Sequence, residues 1–241
     1  MALPKIATPF HEMELPSTGE TIKYRPFLVK EEKLLLMAME GNSQVEIANV
    51  MKQIITNCTD NKVDVENLPM FDVEYLFLQL RIKSVDDIAE VMLSCKKCNE
   101  TNKSKINLKD IKVNLPEEKQ DFKLQLNSDI GIVMKYPTLS VMSDMKGGEQ
   151  ENTETIFKTI IKCIDYIYDE KQVYKNFTEE ELNEFIDSLP QEQFKKISEF
   201  FENMPKLEHT VKFTCPKCKT KNSFKLTGLQ DFFDSASPTT V

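Results

Sequence analysis

Four of the six cysteines stand in two C-x-x-C pairs, Cys95/Cys98 and Cys215/Cys218, with 117 positions from Cys98 to Cys215. Thiolates two residues apart chelate one metal ion from a tight knuckle whose backbone amides point at the sulfurs. Two such pairs complete the tetrahedral sulfur site that favours Zn2+. The pairs share their surroundings. Val91-Met92-Leu93-Ser94 and Val211-Lys212-Phe213-Thr214 are strand-like lead-ins, and strand-like stretches follow at Lys103 to Leu108 and Ser223 to Leu226. Asn102 and Asn222 each stand four positions after the second cysteine of their pair. The reading is a composite zinc ribbon with metal ligands Cys95, Cys98, Cys215 and Cys218, each hairpin supplying one knuckle and a large insertion lying between them. Closing a loop of this size is worth about 4 to 5 kcal/mol in the chain-entropy estimate, before strain is deducted.

Other uses of the pairs fit less well. A thioredoxin-like redox motif wants a helix after the pair, and lysines and asparagines follow here. Disulfides want an oxidising compartment, whereas Met1-Ala2-Leu3-Pro4-Lys5 has no apolar signal region. The longest apolar run, Leu34 to Met39, falls far short of the roughly 18 residues of a membrane span. A cytoplasmic product is expected. Cys58 and Cys163 lie in apolar-periodic stretches and read as small buried hydrophobes.

The net charge of −8 is concentrated: Glu149 to Glu208 holds fifteen acidic and seven basic residues, which accounts for all of it. Around the first knuckle the balance reverses, with Lys96, Lys97, Lys103, Lys105, Lys109 and Lys112 against Glu100 and Asp110. Four thiolates around one Zn2+ leave two negative charges, which lysines Lys96, Lys97, Lys217 and Lys219 would offset. That account competes with nucleic-acid binding, as does the lack of interleaved aromatics for base stacking; Phe213 and Phe224 read as core.

Periodicity organises the remainder into an α+β chain. An extended N-terminal segment includes a hairpin around Glu20–Tyr24. Helices follow from about Lys30 to Glu40, stopped by Gly41, then after a cap at Asn42 or Ser43, then from Asp72 to Arg81, whose apolar content suits the centre of a core. Strands dominate from Ser84 to Tyr136, with a hairpin signal at Asn127-Ser128-Asp129. Gly147-Gly148 reads as a joint. Further helices are expected from Thr153 to about Tyr168, after a capping box at Thr178/Glu181, and from Pro190 to Pro205. Four parts result: 1–86, an extended and helical part; 87–148, strand-rich with the first knuckle; 149–208, an acidic helical insertion; 209–241, the second knuckle and tail.

No catalytic constellation stands out. The two histidines, His11 and His209, are isolated, and no phosphate-loop, dinucleotide, H-E-x-x-H or G-x-S-x-G motif is present. An enzyme is not expected.

Ile6-Ala7-Thr8-Pro9, Leu15-Pro16-Ser17, Lys23-Tyr24-Arg25-Pro26-Phe27, the run Lys30 to Leu36 with Glu40, and Lys135-Tyr136-Pro137-Thr138 resemble the T4-type bacteriophage baseplate family. The likeness extends to the helix near Glu154. It implies a noncatalytic baseplate hub component or hub assembly chaperone acting by protein–protein binding in the host cytoplasm, with phage baseplate hub proteins as partners and a possible place in the virion tail. Tyr24, Phe27, Phe200 and Phe201 are candidate partner contacts and equally candidate core residues. The competing reading is a zinc-ribbon nucleic-acid-binding or transcription regulatory protein.

Overall fold

The computed structural model describes residues 6–40, 44–116, 120–143 and 153–229. The chain opens on an antiparallel hairpin, β1 (His11–Glu14) and β2 (Thr21–Tyr24), turned at Gly19 with φ +72°. Strict alternation buries Ile22 and Tyr24 and exposes Thr21 and Lys23. The hairpin loop is anchored to the next layer: Asp72, fully buried, accepts hydrogen bonds from the Ser17 backbone amide at 3.1 Å and from the Ser17 hydroxyl.

Three helices follow, α1 (Val29–Glu40), α2 (Gln44–Cys58) and α3 (Met70–Ser84). The apolar residues of α3 point in every direction, and it is buried almost all round, through Phe71, Val73, Leu76, Phe77, Leu78, Leu80 and Ile82. A buried ion pair fixes the entry to α1. Glu31, with no exposed surface, receives the Arg25 guanidinium at 3.0 Å and the Leu28 amide at 2.8 Å. Burial works against its charge, yet these partners outweigh burial and hold the carboxyl below its usual range.

The chain then forms a hairpin of β3 (Ile88–Ser94) and β4 (Thr101–Asn107), a 3-10 turn at Leu108–Asp110, and the short β5 (Lys112–Asn114). A four-stranded antiparallel sheet comes next, ordered β6 (Lys123–Gln125), β7 (Gly131–Met134), β8 (Ile164–Tyr168), β9 (Val173–Tyr174). Between β7 and β8 run the short α4 (Leu139–Ser143) and α5 (Thr153–Lys162). After β9 come α6 (Glu179–Asp187) and α7 (Gln191–Glu202). The last described elements are β10 (Lys206–Thr214) and β11 (Lys221–Thr227), with β10 between β11 and β5.

Two hydrophobic cores result among the described residues. The first joins both ends of the chain: Tyr24 and Phe27, Ile54 and Ile55 of α2, the length of α3, Val91 and Ile106 of the first hairpin, and Leu207, Val211, Leu226 and Leu229. The second packs Ile132 and Met134 against Ile160, Ile161, Leu182, Ile186, Ile197 and Phe200 of α5, α6 and α7. They meet at a seam where Tyr136 lies edge-on to Phe71 (5.2 Å between centroids) and stacked on Phe200 (5.8 Å), while the Met70 amide bonds the Pro137 carbonyl at 2.9 Å.

The helix expected from Thr153 to about Tyr168 stops at Lys162, and Ile164–Tyr168 is a strand. The spacing of Ile156, Ile160, Ile164 and Ile167 suits a helix, but four of the five residues from Ile164 to Tyr168 are β-branched or aromatic and the segment has a partner strand to pair with. Tyr168 sits opposite Gly131, where an added Cβ would come within 2.1 Å of the ring. The capping box at Thr178 is present in full, each partner donating to the other's oxygen. Gly41, Asn42, Ser43 and the joint at Gly147-Gly148 lie outside the described residues.

Candidate metal centre

The two hairpins present their turns to each other. In the first, the Asn99 amide donates to the Cys95 carbonyl and the Cys95 amide to the Glu100 carbonyl, each at 2.9 Å; in the second, Lys219 with Cys215 and Cys215 with Thr220 repeat both bonds at 2.9 Å. The residue after each pair takes a left-handed conformation, Asn99 at φ 55° and Lys219 at φ 59°. That backbone is disfavoured for residues with a Cβ, least so for Asn. Both knuckles adopt it because it turns the backbone amides inward.

The four sulfurs of Cys95, Cys98, Cys215 and Cys218 all lie within 4.8 Å of one another. Cys95 Sγ is 3.6 Å from Cys218 Sγ, and Cys98 Sγ is 3.6 Å from Cys215 Sγ. A tetrahedron with Zn–S of about 2.3 Å has sulfur separations of about 3.8 Å, within this range. Cys95 and Cys215 are fully buried and Cys98 and Cys218 partly so. The donor set, its spacing and its enclosure are compatible with a metal ion.

The electrostatics point the same way. The amides of Lys97 and Cys98, ahead of Asn222, hold the Cys95 thiol down to about 6. Thr220, through its hydroxyl and amide, lowers Cys218. The Glu100 amide draws on Cys98, but desolvation and the three neighbouring sulfurs outweigh it and push that thiol up to about 12. Four sulfurs this close cannot all ionise alone; a cation at their centre removes the conflict.

Asn222, 5% exposed, reaches across from the second hairpin. It accepts the Lys96 amide at 3.0 Å and donates to the Thr220 carbonyl at 3.0 Å and to Cys95 Sγ at 3.5 Å. The repeated Asn spacing was visible in the sequence, whereas this role depends on the packing of one hairpin on the other. Lys96 adds a bond to the Ser223 carbonyl at 2.9 Å and lies 4.8 Å over the Phe224 ring, itself stacked on Phe213. Lys217 pairs with Glu100 at 2.7 Å.

Much of the basic patch is answered internally. Lys103 and Lys105 face Glu90 at 4.0 and 3.8 Å, and Lys109 pairs with Asp87. His209 lies on β10 opposite Leu226, and His11 packs against Tyr24; among the described residues the metal-competent cluster consists of the four cysteines. Cys58 and Cys163 are fully buried, and burial pushes their thiols up to about 11 and about 12.

The four aromatic residues that the sequence leaves open between partner contact and core lie mostly in the core. Tyr24, Phe27 and Phe200 are 1%, 7% and 3% exposed and are enclosed by the chain's own cores, while Phe201 packs partly buried against the second. The aromatic area of Tyr24, Phe27 and Phe200 is consumed in folding, while Phe201 keeps part of its surface. Exposed apolar side chains occur instead on α1, at Val29, Leu36 and Met37.

Among the described residues no helix is long and apolar enough to cross a membrane. Among curated proteins and among solved structures, none matches this chain. The family model for the T4 bacteriophage base plate protein matches residues 8–234. With nearly the whole chain inside that match, the protein belongs to the T4 bacteriophage base plate protein family.

Proposed function

We propose that the chain is a noncatalytic component or assembly chaperone of the phage baseplate hub, acting by binding other hub proteins in the host cytoplasm. Its stability as a binding scaffold would rest on one Zn2+ held by Cys95, Cys98, Cys215 and Cys218. The family match carries the baseplate part of this reading. The sulfur cluster supports the metal part. A bound Zn2+ would act structurally, tying together two hairpins that are distant in sequence and share one core. Four thiolates fill a tetrahedral shell, which leaves no coordination position for a substrate and favours a structural over a catalytic ion.

The test is purification of the tagged chain from infected cells, with mass spectrometry of the free complex and of mature tails. Co-purification of hub subunits without nucleic acid supports the reading, and presence in mature tails separates a resident component from an assembly factor. Elemental analysis should give one zinc per chain. Salt-sensitive nucleic-acid binding without hub subunits would overturn it in favour of a regulatory ribbon.

A further inference from the structure

The two knuckles are related by an approximate two-fold through the sulfurs. Cys95 matches Cys215, Cys98 matches Cys218, Asn99 matches Lys219 and Asn102 matches Asn222, and the hydrogen bonds within each turn repeat. Of the positions at which the knuckles differ, one bears on the bond across the interface. The residue after the first cysteine is Lys96 in one knuckle and Pro216 in the other. Lys96 offers an amide, and Asn222 accepts it across the interface. Proline has no amide to offer to Asn102.

The consequences for the two asparagines differ. Asn222 is fixed at both ends of its amide group: its oxygen by Lys96, its nitrogen by the Thr220 carbonyl. The second N–H is thereby aimed at Cys95 Sγ. Asn102, equally buried at 7% exposure, donates at 2.6 Å to the Glu100 carbonyl of its own hairpin, and among the described residues it has no bond to Cys215. On the Pro216 side, the cross-hairpin link is the Lys217–Glu100 ion pair, which is exposed. We propose that Asn222 is the positioning residue of the metal centre, orienting Cys95 across the hairpin interface, and that Pro216 denies Asn102 the matching role.

This inference rests on the metal reading above, and it concerns only how the chain's own groups hold a sulfur in place. Groups that hydrogen-bond a metal's ligands typically contribute a factor of roughly 10 to 100 in affinity. Asn222→Ala should therefore weaken zinc binding by about that factor, measured by competition with a chelator. Asn102→Ala, which removes no sulfur contact, should fall well short of that factor. Cobalt loading supplies a readout that loss of general stability would not move. The sulfur-to-cobalt charge-transfer band should shift in the Asn222 variant and stay in place in the Asn102 variant.

Pro216→Ala supplies the missing amide. In that background, removing Asn102 should become costly, so the two substitutions should be non-additive. Should Asn222→Ala fail to fold, Asn222→Asp keeps the acceptor for Lys96 and replaces the donor at Cys95 with an anion, and should show the same weakening. Equal losses from the two asparagines, or an unshifted cobalt band in the Asn222 variants, would overturn the proposal while leaving the zinc reading intact. A wild-type chain that takes up no zinc would overturn both.

Discussion

Glu74 on α3 is a half-buried carboxyl that has no ion pair among the described residues. Its Oε1 accepts the Leu229 amide at 3.1 Å, where the chain leaves β11 through Gly228 at φ +72°. Burial, only partly offset by that amide, raises its pKa from 4.5 to about 7. The folded state therefore binds this proton more tightly than the unfolded state. Below about pH 4.5 both states hold it, and the contribution is fully present. It is lost as the pH rises through about 7, above which the ionised carboxylate costs roughly 3 kcal/mol, from 1.36 kcal/mol per pH unit. Glu74→Gln keeps an acceptor for Leu229 and removes the charge. Denaturant unfolding of the wild type and the variant, compared at pH 5, 6, 7 and 8, should give curves that diverge as pH rises, with the variant the more stable by 1 to about 3 kcal/mol at pH 8. Taking the difference between the two proteins cancels the other carboxylates. A constant difference across the range, or a variant less stable at pH 8, would refute the argument.

Two further outcomes follow from geometry already described. Replacing Cys215 and Cys218 by Ser should release the metal and remove up to about 4 to 5 kcal/mol of loop-closure stabilisation; hydrogen exchange should show protection falling first in β3–β4 and β10–β11, while α6 and α7 keep theirs. Gly131→Ala places a Cβ into the Tyr168 ring and should destabilise by about 1 to 3 kcal/mol, read as a lower melting temperature. A companion Tyr168→Ala substitution should make the alanine at 131 nearly neutral.

The knuckles were legible because the chemistry of a four-sulfur site fixes both residue type and spacing, and Cys95, Cys98, Cys215 and Cys218 do converge. The capping box at Thr178 was legible for the same reason, since it is a local contact between residues three apart. Long-range outcomes were not. Ile164–Tyr168 has a helical apolar spacing, and only its pairing with β7 makes it a strand. Tyr24 and Phe200 carry no mark distinguishing a core ring from a docking ring, because both situations reward the same apolar area. The left-handed turns at Asn99 and Lys219 carry no glycine to mark them in the sequence. The role of Asn222 needs the relative placement of two hairpins distant in sequence, which spacing alone does not encode.

The shared membership of the first core has a bearing on synthesis. Leu207, Val211, Leu226 and Leu229 complete a layer begun by Tyr24, Phe27 and α3, so a ribosome must reach Leu229 before that layer can be sealed. The second core needs nothing beyond Phe201 and is ready sooner. Growth from the N-terminus therefore reverses the usual order: the interior of the chain matures while its beginning waits, and the final hairpin closes the part that was made first.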